Sequence, residues 1–208
     1  MNHDAPDDVP KALPGVTVEP RPAASLVVVR READGPRVLM ARRGAGHRFM
    51  PNVLVFPGGA VDPEDFTAPC ATPPRDEIRD RLRRLAGDAL AAALPAAAAR
   101  ELAEEVGLTL GAPPRLHGLD LFARAVTPPD RSMRFDAYFF AVDASFVAGD
   151  MRASIELEAP AWYSLEQAEA AELAGATRAV LWQFRRWLAA PSHHGPLPVL
   201  RERAWVHE

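Results

Sequence analysis

Residues 23 to 30 read AASLVVVR, a β-branched apolar run of the kind that fills a buried strand. ADGP (33–36) supplies turn chemistry, and RVLMARR (37–43) is a second apolar run, so the two are predicted to pair as a hairpin. VLVF (53–56) reads as a third short strand, stopped by PGG (57–59). Residues 66 to 74 hold three prolines and read as loop. From Arg75 onward, Ile78, Leu82, Leu85 and Leu90 recur at near-helical spacing with charges between them, which predicts an amphipathic helix over 75–92. Pro95 is then expected to open a new helix, 95–106, ended by Gly107. LHGLDLFARAV (116–126) and RFDAYFFAV (134–142) are strand candidates separated by a TPPD turn. SLEQAEAAELA (164–174) begins with a serine cap and predicts a helix, and TRAVLWQFRRWLAA (177–190) predicts another. Residues 1–20 are polar and proline-rich and read as a flexible N-terminal arm before one domain, 21–208. Strands mixed with helices in this order indicate a layered α/β (α+β) domain.

Composition narrows the function classes. The 208 residues are 48% hydrophobic and 25% charged, ordinary values for a globular protein. A net charge of −4 gives no reason to expect nucleic acid or an anionic membrane as partner. Lys11 is the only lysine in an arginine-rich chain, which is read as compositional bias. A single cysteine, Cys70, leaves no internal disulfide and no cysteine-based zinc site, and it has no evident nucleophilic partner. His47, His117, His193 and His194 lack metal-like spacing. With no secretory leader pattern and no long apolar run, the expected location is cytoplasmic.

The chemistry concentrates in residues 97–108, AAARELAEEVGL. On a helix, Glu101, Glu104 and Glu105 fall within an arc of about 100°, with Leu102, Val106, Ala99 and Ala103 on the other side. Carboxylates that close together repel and should raise one another's pKa. Mg²⁺ or Mn²⁺ removes that penalty, because both prefer oxygen ligands and bridge to phosphates. A solvated acidic face is the alternative.

Context shifts the balance. FPGG (56–59), AVDPED (60–65) and RELAEEVGL (100–108) together resemble the Nudix hydrolase signature: a glycine, an acid six positions on, a spacer, then Arg-Glu-apolar-x-Glu-Glu-x-Gly-apolar. Gly59, Arg100, Glu101, Leu102, Glu104, Glu105, Gly107 and Leu108 match it. Two departures stand out. Asp65 replaces the usual glutamate, and 34 residues separate it from Arg100 where the signature has about seven. The inserted loop and helix, about 66–94, is a candidate lid, a candidate homodimer surface, or a helix that covers the core. The resemblance implies a Nudix fold, a mixed β-sheet sandwiched between helices, and Mg²⁺- or Mn²⁺-dependent hydrolysis of a nucleoside diphosphate derivative. It implies Glu104 and Glu105 as metal ligands, Glu101 as ligand or general base, Arg100 as a carboxylate holder, and the Gly59 carbonyl as a further ligand. A later acid completes the site in many such enzymes, and Asp136, Glu156 and Glu158 are the candidates.

LMARRGAGHRFMPNVLVFPGG (39–59) is similar to the motif of the coenzyme A diphosphatase branch: Leu39, Arg43, Gly44, Arg48 and Phe56 to Gly59 fall in register, while Ala41 and Asn52 depart from it. RFDAYFFA (134–141) and the interrupted box are similar to the acyl-CoA diphosphatase-like group. This implies cleavage of CoA or acyl-CoA into 3′,5′-ADP and 4′-phosphopantetheine, with Arg43, Arg48, Gly58 and Gly59 at the substrate. ADP-ribose or NADH is the alternative substrate, and a nucleotide-binding sensor without turnover is the alternative class. Trp162 and Tyr163 stack a base or, as favoured, close the core.

Overall fold

The computed structural model describes residues 9–44, 52–192 and 195–208. Arg48, His47, His193 and His194 lie outside the described residues. The predicted hairpin forms: β1 (Arg21–Glu32) pairs antiparallel with β2 (Gly35–Arg43), from Val29↔Val38 to Glu32↔Gly35. On its other side β1 runs parallel to β6 (Phe135–Asp143), from Arg21↔Phe135 to Val29↔Asp143. One neighbour antiparallel and one parallel makes the sheet mixed. Its order is β3-β2-β1-β6-β5-β8-β9, with β3 (Leu54–Val55), β5 (Asp120–Val126), β8 (Pro198–Arg201) and β9 (Ala204–His207). β4 (Gly58–Ala60) pairs with β1, and β7 (Leu157–Ser164) pairs with β2.

The AASLVVVR run is apolar at every interior position bar one because β1 is covered on both faces. Ala24, Leu26 and Val28 point to one core, with Ile78, Leu82, Leu94 and Leu102 of α1 (Asp76–Val106). Val27 and Val29 point to the other, with Val180, Leu181 and Phe184 of α3 (Gly175–Ala189) and Leu165 of α2 (Leu165–Ala170). The sheet therefore lies between helices. Among the described residues no helix is long and apolar enough to cross a membrane.

Several boundaries differ from the expectation. The predicted helices 75–92 and 95–106 meet at Gly87, not at Pro95. Gly87 has φ 80° and ψ 166°, while Pro95 sits inside a continuing helix, buried against the core. A proline lacks one donor but keeps a helical φ, whereas Gly87 holds a conformation that other residues rarely adopt. The 164–174 segment closes early, at Ala170. Its Ser164–Gln167 capping box is present, but Ala171 is extended and α3 starts only at Gly175. The PGG turn interrupts the third strand for a moment only, since Gly58–Ala60 resumes as β4. Strands β7, β8 and β9 were not signalled. β7 carries Pro160 and passes β2 through an irregularity between Met40 and Arg42, which is where a strand tolerates proline.

Two segments are tied down. Part of the N-terminal arm lies on the 128–134 turn: Ala12 N–H donates to Asp130 O, Ser132 N–H to Pro10 O, and Arg134 Nη1 to Val18 O at 2.6 Å. The insertion is stitched to residues 114–121. Ala71 N–H donates to Pro114 O, Leu116 N–H to Thr72 O, and Arg75 binds His117 O and the Asp120 carboxylate. Arg81, buried, donates to Leu121 O and Gly195 O. With Ile78 and Leu82 fully buried, this helix covers the core and does not have the loose attachment of a lid.

If Gly87 sets the helix break, Gly87→Ala loses about 1–3 kcal/mol of stability in urea unfolding, because the position is open in space and only the backbone strains. A gain in stability would show that the break moves at no cost.

Candidate active site

The site forms where β4 crosses the last turns of α1. β4 lies antiparallel on β1, with Ala24↔Gly59 and Ser25↔Gly58. The approach is close on both sides. A Cβ on Gly58 would stand 2.5 Å from Ala24 O, and one on Gly59 would stand 2.6 Å from Glu101 Cδ. Only glycines let this strand lie between β1 and the acidic helix.

Gly58 N–H then donates to Glu105 Oε2 at 2.7 Å. Arg100 gathers the rest. Its Nε and Nη2 donate to the two Asp65 oxygens at 3.1 and 3.0 Å, and Nη2 also reaches Ala60 O at 3.0 Å. Its Nη1 donates to Glu101 Oε1 and Glu104 Oε2, both at 2.9 Å. The predicted carboxylate holder thus holds three carboxylates and a backbone carbonyl; the Ala60 carbonyl was not foreseen. Asp65 is 3% exposed and also accepts the Asp62 N–H at 2.8 Å, so it anchors Arg100 and closes the short 3-10 helix Pro63–Phe66. The shorter acid at this position is a positioning group, fully engaged by its partners.

The three glutamates are not equivalent. Glu105 is 7% exposed, whereas the Glu104 side chain is 59% exposed. Burial pushes the Glu105 carboxyl up to about 8; the Gly58 N–H opposes this, and Glu101 and Glu156 add to it. Glu101 is raised as well, by burial first, against the pull of Arg100 and with Glu104 and Glu156 adding to the rise. Mutual repulsion was the expected cause, but loss of water under β4 outweighs it.

Of the three later acids, Glu156 faces the cluster, acting on Glu101, Glu105 and Arg43. It is delivered by Gly44, whose N–H donates to Glu156 O at 3.0 Å. Glu158 lies nearby, with Oε1 3.2 Å from where a Gly44 Cβ would sit. Asp136 is committed elsewhere: Arg124 grips it with two bonds of 2.6 and 2.7 Å. Arg43 is half-buried at the site, and desolvation lowers its pKa while Glu105 and Glu156 work against that. Trp162 and Tyr163 pack on opposite cores, and Arg30 stacks on Trp162 at 4.5 Å, so both close the core. A cavity of about 400 Å³ lies away from this chemistry, between the β1–β2 turn and α3. Its Arg37 and Arg185 are already paired with acids, so it offers an anion little.

Among the described residues no three acidic, histidine or cysteine side chains are gathered to hold a metal ion as they stand. The donor set nevertheless suits a hard divalent cation: carboxylate oxygens and carbonyls, one carboxylate buried and raised, and a glycine that lets the backbone come close to Glu101.

The fold has known counterparts. A Nudix hydrolase from Alicyclobacillus acidocaldarius superposes with a TM-score of 0.60, at 27% identity over 79% of this chain and 90% of that one. This chain has the Nudix fold. The Nudix domain of Shewanella oneidensis NrtR, crystallised with ADP-ribose, shares the fold at a TM-score of 0.55 and 15% identity, over 85% of this chain and 94% of that one. A Caenorhabditis elegans protein named as a nudix hydrolase is 48% identical over 50 residues, 24% of this chain and 16% of its own length. That match spans about a sixth of the relative. No protein-family model matches the chain. Together these similarities support a place in the Nudix hydrolase superfamily.

The raised Glu105 sets a pH dependence. Its folded pKa, about 8, lies above the ordinary 4.5, so the folded state holds the proton more tightly than the unfolded chain does. In the metal-free protein this group therefore costs stability as pH rises from about 4.5 to about 8, by up to about 1.4 kcal/mol per pH unit, with no further loss above. Glu105→Gln, which can still accept the Gly58 N–H, should flatten that slope and stabilise the protein at pH 7.5 in urea unfolding with EDTA. An unchanged slope would place the Glu105 pKa in the ordinary range.

Proposed function

We propose that this Nudix-fold protein hydrolyses the diphosphate bond of a nucleoside diphosphate derivative, with CoA or acyl-CoA as the preferred reading of the substrate. The observation that carries the hydrolase reading is the Glu105 arrangement: a buried carboxylate held by the Gly58 N–H beside Glu101, with Glu156 facing both. Such a group is expensive to keep unless it serves a charged ligand.

Glu101, Glu104, Glu105, Glu156 and the Gly59 carbonyl are the residues that would hold Mg²⁺ or Mn²⁺. The bound cation would neutralise diphosphate oxygens and lower the pKa of a coordinated water. The chain's own groups do the rest. Arg100 fixes Glu101 and Glu104 in orientation through a fork that is itself fixed by Asp65. Glu101, raised by burial and lying against Gly59, would take the water's proton. The Gly58–Gly59 pair lets the backbone lie against Glu101, so that the Gly58 N–H and the Gly59 carbonyl come beside the carboxylates. Arg43, beside Glu105 and Glu156, is the described member of the arginine pair assigned to the substrate.

The CoA reading rests on the 39–59 motif. An ADP-ribose or NADH hydrolase uses the same carboxylates, and a sensor would keep the fold without turnover. Retention of every acidic position of the box favours an enzyme over a sensor.

Glu104→Gln and Glu105→Gln are expected to lower kcat by about 10²-fold or more with excess Mg²⁺, while circular dichroism stays unchanged. Absence of turnover by the unsubstituted protein on CoA, ADP-ribose and NADH, with either metal, would favour the sensor. For the substrate, kcat/KM for CoA should exceed that for dephospho-CoA, and Arg48→Ala should erase the difference. Equal rates on the two would remove CoA as the preferred reading.

A further inference from the structure

Strand β7 does not alternate cleanly. Trp162 packs with the α1-side core and Tyr163 with the α3-side core, as neighbours on a strand should. Leu157, five residues before Trp162, is buried in the same α1-side core, although an odd spacing puts two strand residues on opposite faces. The register supplies the missing residue. Met40 pairs with Ala161 and Arg42 with Glu158, so Ala159 and Pro160 together stand against Ala41 alone. This is a β-bulge, one extra residue on one of two paired strands.

The bulge is held against local preference. Ala159 has φ 46°, on the left-handed side where alanine is disfavoured, and a residue before proline is drawn to extended backbone. Pro160 has no N–H to offer β2 and suits such a place. Ala159 is exposed, so packing of its own side chain does not impose the conformation. Backbone strain of this kind persists only where the surroundings dictate it, and it collects at functional sites.

Its consequence is where the acids fall. With the extra residue, Arg43 pairs with Leu157, which seats Leu157 in the core, and Gly44 N–H donates to Glu156 O. Ser154 Oγ accepts from Glu156 N–H and Leu157 N–H, and Ser154 N–H donates to Leu157 O at 2.9 Å. Glu156 thereby stands where its charge acts on Glu101, Glu105 and Arg43. In a straight strand the pairing beyond Ala41 would slip by one. Glu158 would then stand opposite Arg43, Leu157 would turn off the α1-side core, and Glu156 would lose the Gly44 N–H.

We propose that the Ala159–Pro160 bulge aims Glu156 at the carboxylate site, with Ala159 as the positioning residue. This rests on the reading above in which those carboxylates hold a divalent cation. Bulges beside active sites serve to re-aim a side chain, and here the choice lies between Glu156 and Glu158.

Glycine and asparagine accept a positive φ, whereas valine and isoleucine do so rarely. Ala159→Gly, Ala159→Asn, Ala159→Val and Ala159→Ile are therefore compared for Mn²⁺ affinity by calorimetry, and for turnover of CoA, ADP-ribose and NADH with excess Mg²⁺. The glycine and asparagine variants are expected within about twofold of the unsubstituted protein. The valine and isoleucine variants should lose Mn²⁺ affinity roughly tenfold, with circular dichroism unchanged. Glu156→Gln should show the same loss, and Ala159→Val should add nothing to it, because both act through one carboxylate. Additive losses, equal losses in the glycine and valine variants, or no loss in the valine variant overturn the proposal. So does a Glu156→Gln protein that keeps its Mn²⁺ affinity, since the bulge would then aim no ligand. If Mn²⁺ affinity follows the expected order and no diphosphate is hydrolysed, the hydrolase reading falls and the bulge stands. If a diphosphate is hydrolysed and Ala159→Val keeps its Mn²⁺ affinity, only the role of the bulge falls. An unsubstituted protein that neither binds Mn²⁺ nor turns over ends both.

Discussion

One guanidinium organises the site. Arg100 spends its planar fork on Asp65, its second terminal nitrogen on Ala60 O as well, and its remaining nitrogen on Glu101 and Glu104. Each contact is a charge-assisted or charge-to-carbonyl bond, and the geometry of the fork leaves little freedom. Through Ala60 it fixes β4 to the helix. That in turn sets the narrow gap which only Gly58 and Gly59 fit, and the gap buries Glu105 under Gly58 N–H. Asp65 cannot be separated from this. It is buried, and without the guanidinium it would be a carboxylate with no counter-charge, the kind of loss that costs several kcal/mol.

The same interaction explains how 34 residues fit between Asp65 and Arg100 without disturbing the site. Loop closure costs grow only slowly with length. The contact between the two ends is made by the Arg100–Asp65 pair itself, so it does not depend on a short connection. The added chain finds its own anchorage on residues 114–121 and in the α1-side core. Gly87 then allows the covering helix and the helix bearing the carboxylates to take different directions within one run.

Sequence made the local features legible and the non-local ones opaque. The hairpin, the glycine pair and the spacing of Arg100, Glu101, Glu104 and Glu105 are short-range patterns, and each appears where the residues place it. Pro95 reads as a helix start because proline suits a first turn, yet the break falls at Gly87. Proline costs one bond, but only the glycine reaches the left-handed backbone that makes a break. β7 escaped notice because Pro160 argues against a strand unless a bulge is known to receive it. Glu156, Glu158 and Asp136 are indistinguishable as letters. Their tertiary contacts decide among them: strand pairing carries Asp136 to Arg124, and the loop entering β7, held by Gly44 N–H, carries Glu156 to the site. A helical projection put the three glutamates on one open face, since it could not show that β4 lies over Glu105.

That asymmetry changes what the acidic cluster is. Three exposed carboxylates would sit fully charged at neutral pH and draw in cations by field alone. Here Glu104 stays on Arg100 at the surface, while Glu105, pushed up to about 8, is substantially protonated near neutrality. On the hydrolase reading, Glu105 must give up that proton before it can ligate, so cation affinity rises with pH toward about 8 and binding releases acid. Fixed negative charge in the resting site is thereby kept below what the letters suggest. On that same reading, an anionic diphosphate would meet less repulsion than three bare carboxylates impose. The burial that makes Glu105 costly to the fold is the same burial that makes its charge available mainly when a cation is there to take it.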